Sequence, residues 1–201
     1  MQNGMRNAYA LLGLSFFIVF IGAYMVIERA NAPTPEELPS NINNANTMLT
    51  LTSPMFRDGG VIPSKYTCDG ENVNPELRIE GIPQGTQSLV LVMDDPDIPD
   101  SVKERMGIEK FDHWVVYNIP MDTNNIPENT VTGDQGLNSA GNQGYTGPCP
   151  PDREHRYIFR LYAISERLDF ANAPTLDTVE EMAREKMLDS TTLMGRYERI
   201  Q

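Results

Sequence analysis

The stretch SLVLVMDDPDIP, residues 88–99, decides how the rest of the chain is interpreted. Its first half, SLVLVM at 88–93, is apolar nearly throughout, and a run of this kind predicts a buried β-strand. Its second half places three carboxylates and two prolines directly after that strand. These residues fit a solvated turn, but they also fit a group of carboxylates held at the mouth of a site.

Outward from this stretch, further short apolar runs are separated by Gly, Pro, Asn and Asp. They are MLTLT at 48–52, HWVVYNI at 113–119, RYIFRLYAI at 156–164 and TTLMGRY at 191–197. Short runs punctuated in this way predict an all-β sandwich or barrel. The runs at 88–93 and 156–164 are the most continuously apolar, so we expect both in the interior of the sheet arrangement.

One helix is predicted before the closing strand at 191–197. Thr178 and Glu181 have the spacing of a capping box, which marks a helix start. Apolar residues then recur at helical spacing along one face. They are Leu176, Val179, Met182, Ala183 and Met187. This stripe predicts a helix that packs on the sheets as ordinary core.

The N-terminal part has a different composition. Residues 8–27, AYALLGLSFFIVFIGAYMVI, contain no charge and supply about the 20 apolar residues that cross a hydrocarbon core of ~30 Å. We interpret them as a transmembrane anchor. A cleaved signal peptide is the alternative, with Ala30-Asn31-Ala32 as the cleavage motif and a domain secreted or released into the periplasm.

Charges on the two sides of the apolar run predict its orientation. Arg6 and the terminal amine precede the run, whereas acidic residues dominate after it, beginning with Glu28. By the positive-inside tendency, residues 1–7 are cytoplasmic and the domain lies outside the cytoplasm. Residues 28–47 are rich in Pro, Asn and Glu and predict a flexible tether to a domain at 48–201.

The charge balance limits the partners. The formal net charge is −12, so the phosphate backbone of nucleic acid repels the chain, and we expect no nucleic-acid partner. An anionic ligand has to be captured by a local site that overrides this field.

Two further patches carry more polar and conformationally special residues than a fold requires. The first is Asp112-His113-Trp114, at the start of a predicted strand, where a half-buried structural histidine is the simpler interpretation. The second is GYTGPCPP at 144–151, followed by His155-Arg156-Tyr157. A loop so dense in Gly and Pro is pre-organised, and it brings backbone amides, a histidine and a tyrosine close together.

Three other chemistries fit these patches poorly. A nucleophilic Cys149 would use the amide of the next residue for its oxyanion hole, but Pro150 has no N–H. The two histidines with Asp95 and Asp97 have the ligand types of a metal site without a recognisable spacing. The glycines at 141, 144 and 147 do not lead into a helix, as a dinucleotide-binding fingerprint would. No metal or cofactor is therefore expected.

The patches in this order, DDPDIP, DHWVVYNIP and GYTGPCPPDREHRYIF, resemble the phosphatidylethanolamine-binding protein family in its bacterial Raf-kinase-inhibitor-like branch. The segment YTCDGENVNPEL at 66–77 is similar to one that this branch carries ahead of them. The resemblance covers about Leu49 to Tyr197. It implies a Greek-key antiparallel β-sandwich with a C-terminal helix and a pocket for phosphate or a phosphoryl head group at one end.

Carried over by motif, the resemblance implies one set of ligand-binding residues. They are Asp95, Asp97, Pro99, His113, Gly147, Pro150, Pro151, His155 and Tyr157. Among these, His113 and Tyr157 are expected to donate hydrogen bonds to the anion, while Asp97 orients a histidine. The stretch from Asp100 to Lys110 is longer than the short turn that the family pattern predicts.

The same resemblance brings Cys68 and Cys149 to the pocket end, and in an oxidising compartment we expect them to form a disulfide. The predicted function is binding of a small anionic ligand or phospholipid head group without turnover. Inhibition or regulation of a partner protein, such as a kinase or peptidase, is the alternative. A hydrolase that uses His113 and His155 as acid and base is a weaker one.

Overall fold

The computed structural model describes residues 48–199, and these form a mostly β domain with two α-helices. The strands are β1 (Thr50–Thr52), β2 (Gly60–Val61), β3 (Leu77–Glu80), β4 (Ser88–Asp95), β5 (Phe111–Pro120), β6 (Asn125–Ile126), β7 (Asp134–Gln135), β8 (His155–Ile164) and β9 (Met187–Tyr197). The helices are α1 (Asp100–Met106) and α2 (Leu176–Glu185), and a 3-10 turn covers Ser64–Tyr66. All five predicted strands are present.

The strands form two sheets. The smaller has the order β1-β3-β6 and the larger the order β2-β9-β8-β4-β5-β7. Strand β8 returns to pair with β4, so the order β8-β4-β5-β7 is that of a Greek key. Neighbours are antiparallel except β2 and β9, which run parallel. The predicted sandwich and the central positions of 88–93 and 156–164 are confirmed.

Strand β4 is buried along its whole length because both faces of the larger sheet are covered. On one face, Leu89, Leu91 and Met93 pack in the core between the two sheets. On the other face, Val90 and Val92 pack against α2. Successive side chains of a strand point to opposite faces, so a strand covered on both faces reads as a continuous apolar run.

Helix α2 was predicted correctly, but its start was not. The N-cap is Thr175, whose Oγ1 accepts from the Thr178 amide at 3.5 Å, so the capping box at Thr178 and Glu181 is wrong. Leu176, Val179 and Ala183 are buried as predicted. Met187 instead lies in β9, where it pairs with Ile164 and is 45% exposed. The chain leaves the helix at Glu185 to continue the β8–β9 ladder.

The long segment after DDPDIP is helix α1. The amides of Val102 and Lys103 donate to the carbonyl oxygen of Pro99, and Gly107 ends the helix at a φ of 67°. A left-handed residue after the last turn is a common helix end, and glycine adopts it without a Cβ penalty. None of the seven residues of α1 is buried, so the helix lies on the surface.

None of the helices within residues 48–199 is long and apolar enough to cross a membrane. The predicted cytoplasmic segment 1–7, anchor 8–27 and tether 28–47 lie outside the described residues. They stay predictions.

Candidate functional site

Three strand termini meet at one end of the larger sheet. Asp95 ends β4 and pairs with Phe111 at the start of β5, and His155 starts β8 on the other side of β4. Because these neighbours are antiparallel, the end of β4 lies beside the starts of β5 and β8. The topology therefore brings the three sequence patches together, as predicted.

A cavity of about 280 Å³ opens at this end of the sheet. Its lining combines polar groups from the strand termini with apolar groups from α1 and the loop 144–151. The lining residues are Asp95, Ile98, Pro99, Val102, Arg105, Met106, Phe111, His113, Thr146, Gly147, Cys149, Pro151 and His155. Six of the nine predicted site residues are among them.

His113 is held in one orientation by the loop 144–151. Its Nδ1 lies 2.6 Å from the carbonyl oxygen of Thr146. A carbonyl oxygen only accepts, so Nδ1 carries the proton and Nε2 of the neutral ring presents a lone pair. Burial lowers the pKa of His113 to about 4, which keeps the ring neutral at neutral pH. His113 was expected to donate a hydrogen bond to an anion. Its Nε2 can do so only when the ring is protonated.

His155 lies between two carboxylates. Its Nδ1 is 2.7 Å from Oδ2 of Asp95, and its Nε2 is 2.8 Å from Oδ1 of Asp152. Burial raises the pKa of Asp95, while the hydrogen bond from His155 lowers the pKa of the exposed Asp152. Asp95 Oδ1 also accepts from the Asp97 amide at 2.8 Å. Both oxygens of Asp95 are therefore engaged within the protein.

Asp97 does not orient a histidine, and that expectation is wrong. Its carboxylate binds Arg156 at two side-chain nitrogens, both at 2.7 Å, and the Arg156 amide at 2.9 Å. These hydrogen bonds lower the pKa of Asp97 to about 2. Asp95, two positions earlier and on the cavity side, makes the contact with His155. One residue separates Asp95 from Asp97, yet the turn after β4 sends their side chains to different partners.

Tyr157 and Pro150 are both buried, and neither lines the cavity. The Tyr157 ring packs edge-on against His113, with centroids 5.2 Å apart. Its hydroxyl has no hydrogen-bond partner among the described residues, and burial raises its pKa. Tyr157 therefore supports the position of His113 in this structure and does not itself reach the cavity.

The loop 144–151 is fastened to the segment 66–72 at four points. Tyr145 Oη donates to the carbonyl oxygen of Tyr66 at 2.8 Å, and the Gly147 amide donates to Asn72 Oδ1 at 2.7 Å. The Cys68 amide donates to the carbonyl oxygen of Pro148 at 3.1 Å. The fourth link is the predicted Cys68–Cys149 disulfide, which is present with its Cα atoms 5.4 Å apart. The carbonyl oxygen that orients His113 thus belongs to a well-anchored loop.

The contribution of α1 to the cavity was not predicted from the sequence. Val102, Arg105 and Met106 of this helix line the cavity, and Ile98 and Pro99 precede it. The signal that could have found the helix is a Pro at its start and a Gly after its last turn, with helix-forming residues between them. Arg105 is the one Lys or Arg in the cavity lining.

A second polar cluster lies on the other face of the sheet, under α2. Asp94 is fully buried and binds Lys110 at 3.0 Å and Arg160. Asp112 pairs with Asp94 across β4 and β5, and burial raises the pKa of Asp112 to about 6. The two adjacent aspartates of the DDPDIP motif, Asp94 and Asp95, therefore serve opposite faces of the sheet. Within residues 48–199, no three His, Cys, Asp or Glu side chains form a group that could hold a metal ion.

Fold and cavity together define a β-sandwich domain with a small, partly charged cavity at one sheet end. The phosphatidylethanolamine-binding protein family model matches residues 52–198. The chain belongs to this family, as its motifs indicated.

Relatives that are matched over nearly their whole length support the assignment. A UPF0098 protein from Methanothermobacter thermautotrophicus is 40% identical over 158 residues, which is 75% of this chain and 99% of the relative. A UPF0098 protein from Chlamydia trachomatis is 40% identical over 152 residues, again 75% of this chain and 99% of the relative. In each case the match covers nearly the whole relative.

Solved structures show the same fold. The crystal structure of a phosphatidylethanolamine-binding protein homologue, CT736, from Chlamydia trachomatis is 38% identical, with a TM-score of 0.72. The match covers 77% of this chain and 99% of that one. The E. coli protein YbcL, described as a member of the mammalian family, is 26% identical with a TM-score of 0.67, covering 76% and 99%.

Proposed function

We propose that the domain binds a small phosphoryl-bearing anion in this cavity without turning it over. The observation that carries the proposal is the position of His113, whose Nε2 is left without a partner among the described residues while Thr146 holds Nδ1. An imidazole fixed in this way, in a cavity that also contains an unpaired arginine, can share a proton with a phosphoryl oxygen.

The arrangement of the second histidine favours binding over hydrolysis. A general base needs a nitrogen free to take a proton from water or substrate. Both ring nitrogens of His155 face carboxylates, so neither is free to act as a general base. His155 serves in this proposal as part of the wall that positions Asp95.

The proposed location is the outer face of a membrane, with residues 8–27 as the anchor. An anchored domain would act on ligands outside the cytoplasm, where the Cys68–Cys149 disulfide is also favoured. A phospholipid head group and a soluble phosphorylated compound both carry a phosphoryl group, and they are the two possible sources of such a ligand.

Thermal unfolding with and without ligand tests the proposal. Inorganic phosphate or phosphoethanolamine should raise the Tm of the full chain, because a ligand that binds only the folded state stabilises it by mass action. His113→Ala should remove this shift. Asp122→Asn, which alters an exposed acidic residue outside the cavity, is the control and should keep it. Release of inorganic phosphate from phosphoethanolamine during incubation, or an unchanged ligand-dependent shift in His113→Ala, would refute binding without turnover at this site.

A further inference from the structure

Among the described residues, two ionisable side chains of the cavity lining are free to contact an anion, and they are of opposite kinds. His113 Nε2 presents a lone pair, because the ring proton is on Nδ1 and is donated to Thr146. Arg105 presents a guanidinium that forms no ion pair or hydrogen bond with the described residues. By contrast, the arginines at 153, 156 and 160 are all paired with carboxylates.

Most other polar groups of the lining are already engaged within the protein. Thr146 Oγ1, for example, accepts from Asn138 Nδ2 at 2.9 Å. The Gly147 amide donates to Asn72 Oδ1, and both nitrogens of His155 lie against carboxylates. Asp95 uses one oxygen for His155 and the other for the Asp97 amide. A ligand therefore has to satisfy an acceptor, Nε2, and a cation, Arg105, at the same time.

Phosphate esters differ in whether they can do this. A phosphomonoester has three non-bridging oxygens and a second pKa of about 6, so near neutral pH its dianion can take up one proton on binding and share it with Nε2. Its other two oxygens match the forked N–H groups of an arginine. A phosphodiester has two non-bridging oxygens and no proton to donate at neutral pH. An oxygen lone pair of the diester would face the lone pair of Nε2, and no hydrogen bond could form between them.

From these contacts, and resting on the proposed function, we propose that the cavity selects phosphomonoesters over phosphodiesters. In this arrangement His113 Nε2 accepts a hydrogen bond from the protonated phosphoryl oxygen, and Arg105 pairs with the two others. The ligand class is then a small phosphorylated compound with a terminal phosphoryl group. An intact phospholipid head group is a diester, and it is disfavoured.

Two matched pairs of probes test the selectivity by isothermal titration of the full chain at pH 7.5. Methyl phosphate and dimethyl phosphate differ by one methyl group, and phosphoethanolamine and glycerophosphoethanolamine represent the soluble and the lipid-derived source. We expect each monoester to bind at least about tenfold more tightly than its diester, the discrimination typical of one charge-assisted hydrogen bond.

Arg105→Gln tests the second half of the proposal against Lys103→Gln. Both positions are in α1, and both changes remove one positive charge, but Lys103 does not line the cavity. Arg105→Gln should weaken methyl phosphate binding about tenfold, and Lys103→Gln should change it less than twofold. Arg105→Lys should give an intermediate loss, since an ammonium lacks the two parallel donors.

The outcomes separate the two proposals. Equal or tighter binding of the diesters would overturn the selectivity while leaving anion binding intact. Equal effects of Arg105→Gln and Lys103→Gln would overturn the assignment of Arg105. If none of the four probes binds the wild-type protein, the selectivity and the proposed function both fail.

Discussion

His113 Nδ1 donates a hydrogen bond to the carbonyl oxygen of Thr146, with the two atoms 2.6 Å apart. Thr146 lies in the loop 144–151, which the Cys68–Cys149 disulfide fastens to the 66–72 segment. The tautomer of the cavity histidine is therefore set by a loop that is distant in sequence. If the cavity binds an anion as proposed, this tautomer leaves Nε2 as an acceptor toward it.

Binding of a phosphomonoester should take up protons near neutral pH. The pKa of His113 is about 4 in the unliganded protein, so neither the ring nor a phosphomonoester dianion supplies a proton at pH 7.5. The hydrogen bond between Nε2 and the phosphoryl oxygen requires a proton. We therefore expect proton uptake from the solvent that approaches one proton per methyl phosphate bound. Isothermal titration in two buffers of different ionisation enthalpy measures it. Binding of methyl phosphate with no proton exchange would contradict the assigned tautomer, and Asp112→Asn should leave the uptake unchanged.

Asp95 and Asp97 should differ sharply on substitution, although one residue separates them. Asp95→Asn breaks a buried charge-assisted contact to His155 and should cost about 1.5–3 kcal/mol of stability. Asp97→Asn weakens a surface pair with the half-exposed Arg156, worth about 0–1 kcal/mol. It should also leave phosphate affinity within twofold of wild type. Chemical unfolding measures the stability of both variants, and titration measures their phosphate affinity. A large loss of phosphate affinity in Asp97→Asn would show that Asp97 contributes to ligand binding.

Asp112 should make stability depend on pH. Because burial raises its pKa to about 6, the folded protein holds this proton more tightly than the unfolded protein does. The free energy of unfolding should therefore fall as pH rises from about 4 to about 6. Asp112→Asn should be more stable than wild type at pH 8 by up to about 3 kcal/mol, with the difference vanishing below pH 4. Asp122→Asn, an exposed control, should show no such trend; parallel pH profiles for Asp112→Asn and wild type would refute the assignment.

The Cys68–Cys149 disulfide closes a separation of 81 residues, and in the chain-entropy model it contributes about 4 kcal/mol. The Cys68→Ser/Cys149→Ser double variant should lose roughly this amount in urea unfolding. A reducing agent should lower wild type to the level of the double variant and leave that variant unchanged. Equal stability of oxidised and reduced wild type would show that the three hydrogen bonds hold the loop without the disulfide.

The anchor at residues 8–27 is tested on intact cells that express the full chain. A protease added outside should release a fragment that starts within the tether at 28–47, because the orientation inferred from Arg6 and Glu28 puts the domain outside. Recovery of soluble protein that begins at Pro33 would favour signal cleavage instead.

The strands could be predicted from the sequence because a buried strand has a local pattern of apolar residues. An apolar run such as 88–93 has to be covered on both faces wherever it lies, and the structure covers it with a sheet and a helix. The motifs DDPDIP, DHWVVYNIP and GYTGPCPPDREHRYIF are local in the same way. They identified the family and six of the residues that line the cavity. Helix α1 left a readable but short signal in Pro99 and Gly107.

Only the tertiary structure decided what the polar residues of those motifs contact. Asp94, Asp95 and Asp97 are the same residue type within four positions, yet they face Arg160, His155 and Arg156 respectively. The direction of each side chain depends on sheet pleat and on the turn after β4, and its partner comes from β8, some 60 residues away in sequence. The sequence by itself determined the fold class and the family, because apolar periodicity and motifs are properties of neighbouring residues. The contacts of Thr146 and Tyr157, and the place of Arg105 in the cavity lining, required coordinates, since hydrogen bonds and burial depend on residues brought together from distant parts of the chain.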